Sequence, residues 1–451
     1  MGRLHSLAAG QGLFARALRG SVLTAGSYAF SQALRLGSNL ILTRLLYPEA
    51  FGLMALVNVV LIGLAMFSDV GVGPAIAQNP RGDEPDFLDT AFSINVARGA
   101  ILWGMTCLLG WPLSALYGVP ELALLLPAAG LSLLASGFNP TRIDTAQRHL
   151  LLGRVTVLDL CAQVIGIAAV VGLTLIWPSV WSLVAGAVLG AVARPVIMGW
   201  FLPGRRNALR WDPESGRALI HFGKWIFLST ACGFVLSQGD KAILGAYLPL
   251  ESFGIYNIGY FLASFPMLLG GTVVQRVMIP IYRDRDLAPE NPGRLRRLRF
   301  GLTGGILALL AVMAFWGPQL IGLLYDARYE GAAGVLMAVA LAQMPLAVGM
   351  TYDQAALAAG QSRIFFGVIA LRAVVQTLAF LIGVELGGLA GALIGFAVAG
   401  VLLHGALVYL ARRFGVWDAA HDLFFAGVIA ASAVTVMTLH GEILAQMAGS
   451  G

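Results

Sequence analysis

Apolar residues run along this chain in long unbroken blocks, not in the alternation of period 2 or 3.6 that marks a half-buried soluble element. The blocks cover 22–46, 51–73, 91–116, 121–138, 155–176, 180–202, 222–247, 253–276, 300–324, 332–358, 364–384 and 388–410, with a thirteenth over 423–439. A helix needs about 20 mostly apolar residues to cross a bilayer. Membrane strands are shorter and alternate in hydropathy, so these blocks predict helices.

The connections between blocks alternate in character. The first, third, fifth, seventh and eleventh are short turns: Tyr47-Pro48-Glu49-Ala50, Tyr117-Gly118-Val119-Pro120, Trp177-Pro178-Ser179, Leu248 to Ser252, and Glu385-Leu386-Gly387. The even-numbered connections include the longer, basic loops. Of the 29 Lys and Arg residues, Arg44 and Arg328 lie at odd-numbered connections, and Arg35, Arg98, Arg194, Lys241 and Arg372 lie inside blocks. The other 22 fall in the N-terminus or in or beside the even-numbered connections, Lys224 and Arg276 at the ends of their blocks. Lys/Arg excess marks the cytoplasmic side, so the N-terminus is expected to be cytoplasmic. The richest loop, from Arg283 to Arg299, is suited to anionic lipid headgroups, at about 1 kcal/mol per basic residue near the surface.

An internal repeat organises the blocks. Under a shift of 202 residues, Glu49, Phe51 and Gly52 meet Glu251, Phe253 and Gly254, and Ser27, Gly37 and Leu42 meet Ser229, Gly239 and Leu244. Six blocks separate the copies, so both halves share one orientation, as in parallel repeats. The expected division is a cytoplasmic segment 1–20, an N-lobe 21–202, a linker 203–221, a C-lobe 222–412 and a C-terminal segment 413–451. The fold class is therefore an all-α polytopic membrane protein. Two six-helix lobes, related by a pseudo-two-fold, surround a central cavity, with one extra C-terminal apolar segment. Gly387/Gly391/Gly395, Gly186/Gly190 and Gly301/Gly305 are spaced for close helix packing. Pro266 and Pro345 are candidate breaks in their helices.

Composition narrows the class further. The chain is 58% hydrophobic and 12% charged, with mean hydropathy +0.81, against about 25% charged for a soluble domain. A net charge of +6 could suggest nucleic acid, but the bases sit in alternate loops and form no single patch. Cys107, Cys161 and Cys232 all fall in blocks and imply no disulfide framework. The six histidines lack metal-site spacing, and there is no P-loop. No cofactor is expected.

Ionisable groups inside blocks are costly and mark candidate function. Ser31, Arg35 and Asn39 follow at four-residue steps and share a helix face, with Gln32 and Ser38 beside them. That stripe is expected to look into the protein or a wet cavity; the alternative is a hydrogen-bond network between helices. Gln238, Asp240 and Lys241 mark the equivalent helix of the second half, where Lys241 meets Asn39 under the repeat shift. Neighbours on a helix stand about 100° apart, so Asp240 and Lys241 need not pair, and Asp240 could partner Arg35 or Arg44 instead. Asp69 is expected near the cytoplasmic surface. Asp353 and Arg372 lie deeper and could pair. The candidate substrate contacts are thus Gln32, Arg35, Asn39, Gln238, Lys241 and Arg372, and their basic members suit an anionic group. Asp240, Asp69 and Asp353 are the candidates for ion coupling, by H+ or Na+, or for charge partners.

Two stretches carry a family resemblance. Leu45-Leu46-Tyr47-Pro48-Glu49-Ala50-Phe51-Gly52, Phe67-Ser68-Asp69-Val70-Gly71-Val72-Gly73 and Ala77-Gln78 resemble bacterial polysaccharide-export flippases. So does Gly239-Asp240-Lys241-Ala242-Ile243-Leu244-Gly245 followed by Phe253-Gly254-Ile255-Tyr256-Asn257. The resemblance spans 20–412 and is to the multidrug/oligosaccharidyl-lipid/polysaccharide exporter superfamily. It implies a V-shaped bundle that carries undecaprenyl-pyrophosphate-linked oligosaccharide across the bacterial inner membrane by alternating access, alongside polysaccharide polymerase and export machinery. The alternatives are a multidrug or peptidoglycan-precursor exporter, a scaffold of the assembly complex, or a membrane polymerase or ligase. The short odd-numbered connections weigh against the enzymes.

Overall fold

The computed structural model describes residues 13–69, 71–149, 151–283 and 292–449. Residues 284–291 of the basic loop that opens at Arg283 lie outside these residues, as do residues 1–12 of the segment 1–20. In chain order the helices are α1 Leu13–Leu45, α2 Pro48–Phe67, α3 Val72–Gln78, α4 Pro85–Tyr117, α5 Leu122–Gly137, α6 Arg142–Arg148, α7 Leu152–Ile176 and α8 Val180–Phe201. They continue as α9 Pro213–Tyr247, α10 Leu250–Arg283, α11 Pro292–Phe315, α12 Gly317–Leu324, α13 Ala332–Ala358, α14 Ser362–Arg413 and α15 Ala419–Gly449. Among the described residues nine helices are long and apolar enough to cross a membrane, or ten if α5 and α6, bent by 56°, form one span. This is an all-helical, multi-pass membrane protein. The C-terminal apolar segment is among the nine.

Packing divides the chain into two compact units. The first holds residues 1–46 and 56–231; the second holds 47–55 and 232–451. In the first unit, α7 and α8 approach closely where Gly186 meets Val170 and Gly190 meets Gly166. With no side chain at these glycines, backbones gain the dispersion contacts that replace a hydrophobic drive in lipid. The segment after α8 is strapped across α4. Buried Asp89 accepts from Arg205 Nη2 at 2.8 Å and from the Ala208 amide at 3.0 Å, and Asn207 Nδ2 donates to Thr141 Oγ1 at 2.6 Å. The short helices α3 and α6 are tied by Arg148, whose Nη1 donates to the carbonyls of Ile76 and Asn79, both at 2.7 Å. These are C-terminal carbonyls that no helical amide reaches.

In the second unit α13 is central, with 78% of its most apolar window buried. A helix apolar on all sides belongs inside a bundle. Its Met337, Ala340, Met344 and Ala347 pack with Ile306, Leu307 and Leu310 of α11 and with Phe425 and Val436 of α15. The C-terminal helix is therefore part of this core. α14 breaks at Gly387–Gly388, where Gly388 takes φ 55°, between the eleventh and twelfth apolar blocks. Its two arms close on each other through Gly383 with Gly391 and through Gly395 with Ala379. Gly301 and Gly305 depart from expectation: a side chain at either would meet nothing within 4 Å. Helical spacing alone says nothing of which face is packed. Helices α10 and α13 run on through Pro266 and Pro345.

The two turns of the repeat meet within the second unit. A side chain on Gly52 would collide with the Leu250 carbonyl, and one on Gly254 with the Pro48 carbonyl. Phe51 packs edge-on against Tyr329 at 6.1 Å, and the Arg328 guanidinium stands 4.9 Å from the Tyr47 ring centroid.

Candidate functional site

In the second unit α9 carries Asp240 and Lys241 into the protein, with side chains only 10% and 15% exposed. Lys241 Nζ donates to the two Asp240 oxygens at 3.3 and 3.4 Å. Helix neighbours need not pair, but these two do, across the reach of the lysine side chain. Tyr256 of α10 donates its hydroxyl to Asp240 Oδ2 at 2.6 Å. One turn on, the Tyr260 ring lies under Lys241 Nζ at 3.9 Å, a cation–π contact that gains strength away from water. The partners of Asp240 in this unit are thus Lys241 and Tyr256.

Arg372 of α14 belongs to the same neighbourhood. Its charge acts on both Tyr260 and Asp353. Its Nε is buried and has no hydrogen-bond partner among the described residues. The charge of Arg372 thus reaches Tyr260, which packs under Lys241, and also Asp353, with no ion pair among the described residues joining Arg372 to Asp353; Gln238 is half-buried two residues before Asp240. Tyr256 and Tyr260 escaped the sequence reading because aromatic residues in an apolar block look like core.

The first-unit candidates divide by face. Ser31 Oγ donates to Gln163 Oε1 of α7 at 2.6 Å, and Gln163 Nε2 returns a bond to the Ser31 carbonyl at 3.0 Å. This is the hydrogen-bond network between helices. Gln32 is buried and donates to the Tyr28 hydroxyl at 2.9 Å. Asn39 is half-buried, while Arg35 is exposed. The stripe expected to act as one surface is thus split between a helix contact and an open face.

Asp69 lines a different place, a cavity of about 340 Å³ in the first unit with Arg98, Asn139, Asp144 and Arg194. Asp69 Oδ1 accepts from the Gly71 amide at 2.9 Å, where Gly71 takes φ 63°, and the chain turns into α3. Arg98 Nε donates to Ser68 Oγ at 2.9 Å and its Nη2 to the Ala65 carbonyl at 2.6 Å, closing the end of α2. Arg194 Nε donates to Asp159 Oδ1 at 2.8 Å. Asp144 was missed because it stands among Arg142, Arg148 and His149 in what reads as a basic loop. The signal available was Ile143 and Ala146, three apart and both buried, which makes α6 a short amphipathic helix.

A third polar cluster fixes α15. Asp422 accepts from the Tyr352 hydroxyl at 2.8 Å and from Trp417 Nε1 at 2.9 Å. His421 Nδ1 stands 3.0 Å from Asp422 Oδ1, and His404 Nε2 3.2 Å from Oδ2. Buried His421 reaches Thr303 Oγ1 on α11 at 3.0 Å. His421, Asp422 and Trp417 lie after the repeat, so no second copy marks them.

Long apolar helices holding charged and polar residues on their inner faces define a polytopic membrane protein. Residues 41–332 match the model of a family described as polysaccharide biosynthesis protein, and the chain belongs to that family. It is 25% identical to the succinoglycan biosynthesis transport protein ExoT of Rhizobium meliloti over 362 residues, which cover 78% of this chain and 72% of that one. It is 23% identical to the amylovoran biosynthesis protein AmsL of Erwinia amylovora, covering 64% and 76%. Among solved structures it is similar to the lipid II flippase MurJ in an inward closed conformation, with TM-score 0.68, 12% identity and 93% and 92% of the two chains covered. An inward-facing MATE family multidrug transporter of the MOP superfamily aligns with TM-score 0.59 at 17% identity, covering 90% and 96%. At these identities the likeness to the solved structures is one of fold.

Proposed function

We propose that the chain is a flippase, not an enzyme, that moves an undecaprenyl-pyrophosphate-linked oligosaccharide from the inner to the outer leaflet of the bacterial inner membrane for surface or extracellular polysaccharide. The observation that carries this reading is the buried Nε of Arg372, a donor without an acceptor among the described residues, whose charge reaches the same Tyr260 that Lys241 packs over. An unmade buried hydrogen bond is costly, and an anionic group is the partner such a site lacks. Membership of a polysaccharide biosynthesis family supports the substrate class, as does the similarity to ExoT, a succinoglycan biosynthesis transport protein.

In this reading Lys241 and Arg372 hold the pyrophosphate. Gln238 supplies a polar contact on α9, and Gln32, Arg35 and Asn39 supply them on α1. Asp240 and Asp353 keep the two cations placed when substrate is absent, and with Asp69 they are candidates for H+ or Na+ coupling. Alternating access of two six-helix lobes about a central cavity, with a cytoplasmic N-terminus, is the mechanism this reading entails. Anionic lipids, a polymerase and export machinery are the partners.

Reconstitution in liposomes with labelled polyprenyl-pyrophosphate oligosaccharide tests it. Labelled sugar is expected to become accessible on the far side, and Arg372→Ala is expected to slow this about tenfold or more, the equivalent of one lost charge-assisted hydrogen bond. No movement of label by the parent protein, beside a working control transporter, would sink the proposal.

A further inference from the structure

The cavity of the first unit carries an uneven charge count. In it, or directly behind it, stand three carboxylates, Asp69, Asp144 and Asp159, and two guanidiniums, Arg98 and Arg194. Arg194 is committed to Asp159, Arg98 closes the end of α2, and Asp69 accepts the Gly71 amide. The Asp144 carboxylate makes no hydrogen bond or ion pair with any described residue, and only the charge of Arg194 acts on it. One negative charge is left over, and it sits on Asp144. An uncompensated charge held in a partly enclosed cavity is costly unless a partner or a proton neutralises it.

A second observation points the same way. Asn139, on the turn just before α6, lines the same cavity, and its Oδ1 is buried with no donor. The cavity is thus short of both a positive charge and a hydrogen-bond donor, and a proton on Asp144 supplies both. A metal ion fits less well. A hard cation wants a shell of several oxygens, two guanidiniums share the space, and no group of three or more His, Cys, Asp or Glu side chains among the described residues is placed to hold a metal.

We propose that Asp144 is a proton-binding site. Its carboxylate takes a proton from hydronium in the cavity and returns water; the neutral carboxyl no longer attracts Arg194. Because Asp144 lies on α6 and Arg194 on α8, protonation weakens one tie between these helices and ionisation restores it. The ionisable groups facing the site are Asp69 at the end of α2, Arg98 on α4 and Arg194 on α8, with Asp159 on α7 behind Arg194. Gly73 of α3 stands against the carboxylate, where an added side chain would come within 3.0 Å of Asp144 Oδ1. Coupling of this proton to substrate movement rests on the flippase reading; the binding of the proton does not.

Infrared difference spectroscopy of the full chain in lipid, scanned from acid to neutral pH without substrate, tests the binding. A carboxylic-acid C=O band that titrates in the parent is expected to vanish in Asp144→Asn and to persist in Asp69→Asn. A band lost in Asp69→Asn and kept in folded Asp144→Asn would overturn the proposal, as would a band that responds to Na+ and not to pH. If Asp144→Asn does not reach the membrane, Asp144→Glu carries the test: the band should remain with a displaced midpoint, and an unchanged band and midpoint would overturn the assignment. With substrate in liposomes, an imposed pH gradient is expected to drive transport by the parent, and Asp144→Asn is expected to lose that response. A parent whose proton band behaves as stated but which moves no label leaves the site standing and removes only the flippase reading.

Discussion

The two copies of the repeat keep the same backbone contact and have diverged in chemistry. At the turns, Gly52 lies against Leu250 and Gly254 against Pro48, a reciprocal fit in which each copy supplies the glycine that the other's carbonyl needs. One helix upstream, the resemblance ends. α1 offers Asn39 where α9 offers Lys241, and Ser38 where α9 offers Asp240. The first copy spends its polar groups on a neighbouring helix, through Ser31 and Gln163. The second buries an ion pair over a tyrosine ring. Contact geometry is the shared part because a backbone collision admits no compromise. Side chains on the inner face are free to change as long as their own charges and hydrogen bonds stay satisfied.

The largest effect should come from breaking the shared part. Gly254→Val places a branched side chain on a backbone carbonyl that cannot move aside. The cost should exceed about 3 kcal/mol, the upper end of ordinary overpacking. Detergent size-exclusion should then show little monodisperse protein. Gly52→Val should behave alike; a well-folded Gly52→Val beside a lost Gly254→Val would show that the two turns are not equivalent.

Next comes the part peculiar to the second copy. Asp240→Ala leaves Lys241 with only the Tyr260 face and should cost about 3–5 kcal/mol, the range for stranding one member of a buried pair. Replacing both residues together should cost less than the sum of the single changes, because contacting groups couple. Unfolding of the purified variants measures both. Additive losses would mean that the pair is solvated.

The part peculiar to the first copy is weaker. Ser31→Ala removes one neutral hydrogen bond and should cost about 1 kcal/mol, with Gln163→Ala adding little beyond it. A loss for Ser31→Ala as large as that of Asp240→Ala would erase the distinction between the copies.

The smallest effect concerns how α9 begins. Asp212 is held below the ordinary carboxylate range, first by the Ser215 hydroxyl and amide and then by Glu214's amide and the charge of Arg81. A depressed pKa contributes stability that is complete above the unfolded value, about 3.9, and is lost as pH falls through the lower folded value. Amides at 214–217 should therefore exchange faster only in strong acid, and Asp212→Asn should show no such step.

Much of the architecture was legible because membrane helices announce themselves by length. The break in α14 was readable from Glu385-Leu386-Gly387, and the reciprocal turns from the matched Phe-Gly pairs. The seven-residue helices α3 and α6 were not, since a stretch that short has no apolar block to betray it. Asp240 and Lys241 were found, but their pairing was not: a helical projection fixes where a Cβ points and ignores the reach of a lysine. Asp144 hid among bases, although the site it lines also holds Asp69, which was found. The Asp422 cluster lay beyond the repeat, so no second copy drew attention to it.

The strap that binds residues 205–212 to α4 and α6 has a mechanical consequence. A connector between packing units is usually slack and transmits no force. Here the slack is taken up by Asp89, Thr141 and Ser93, and the chain leaves α4 already entering α9. Within the first unit the strap therefore acts as a strut: a displacement of α4 is handed to the start of α9 at Pro213 and is not absorbed by loose chain.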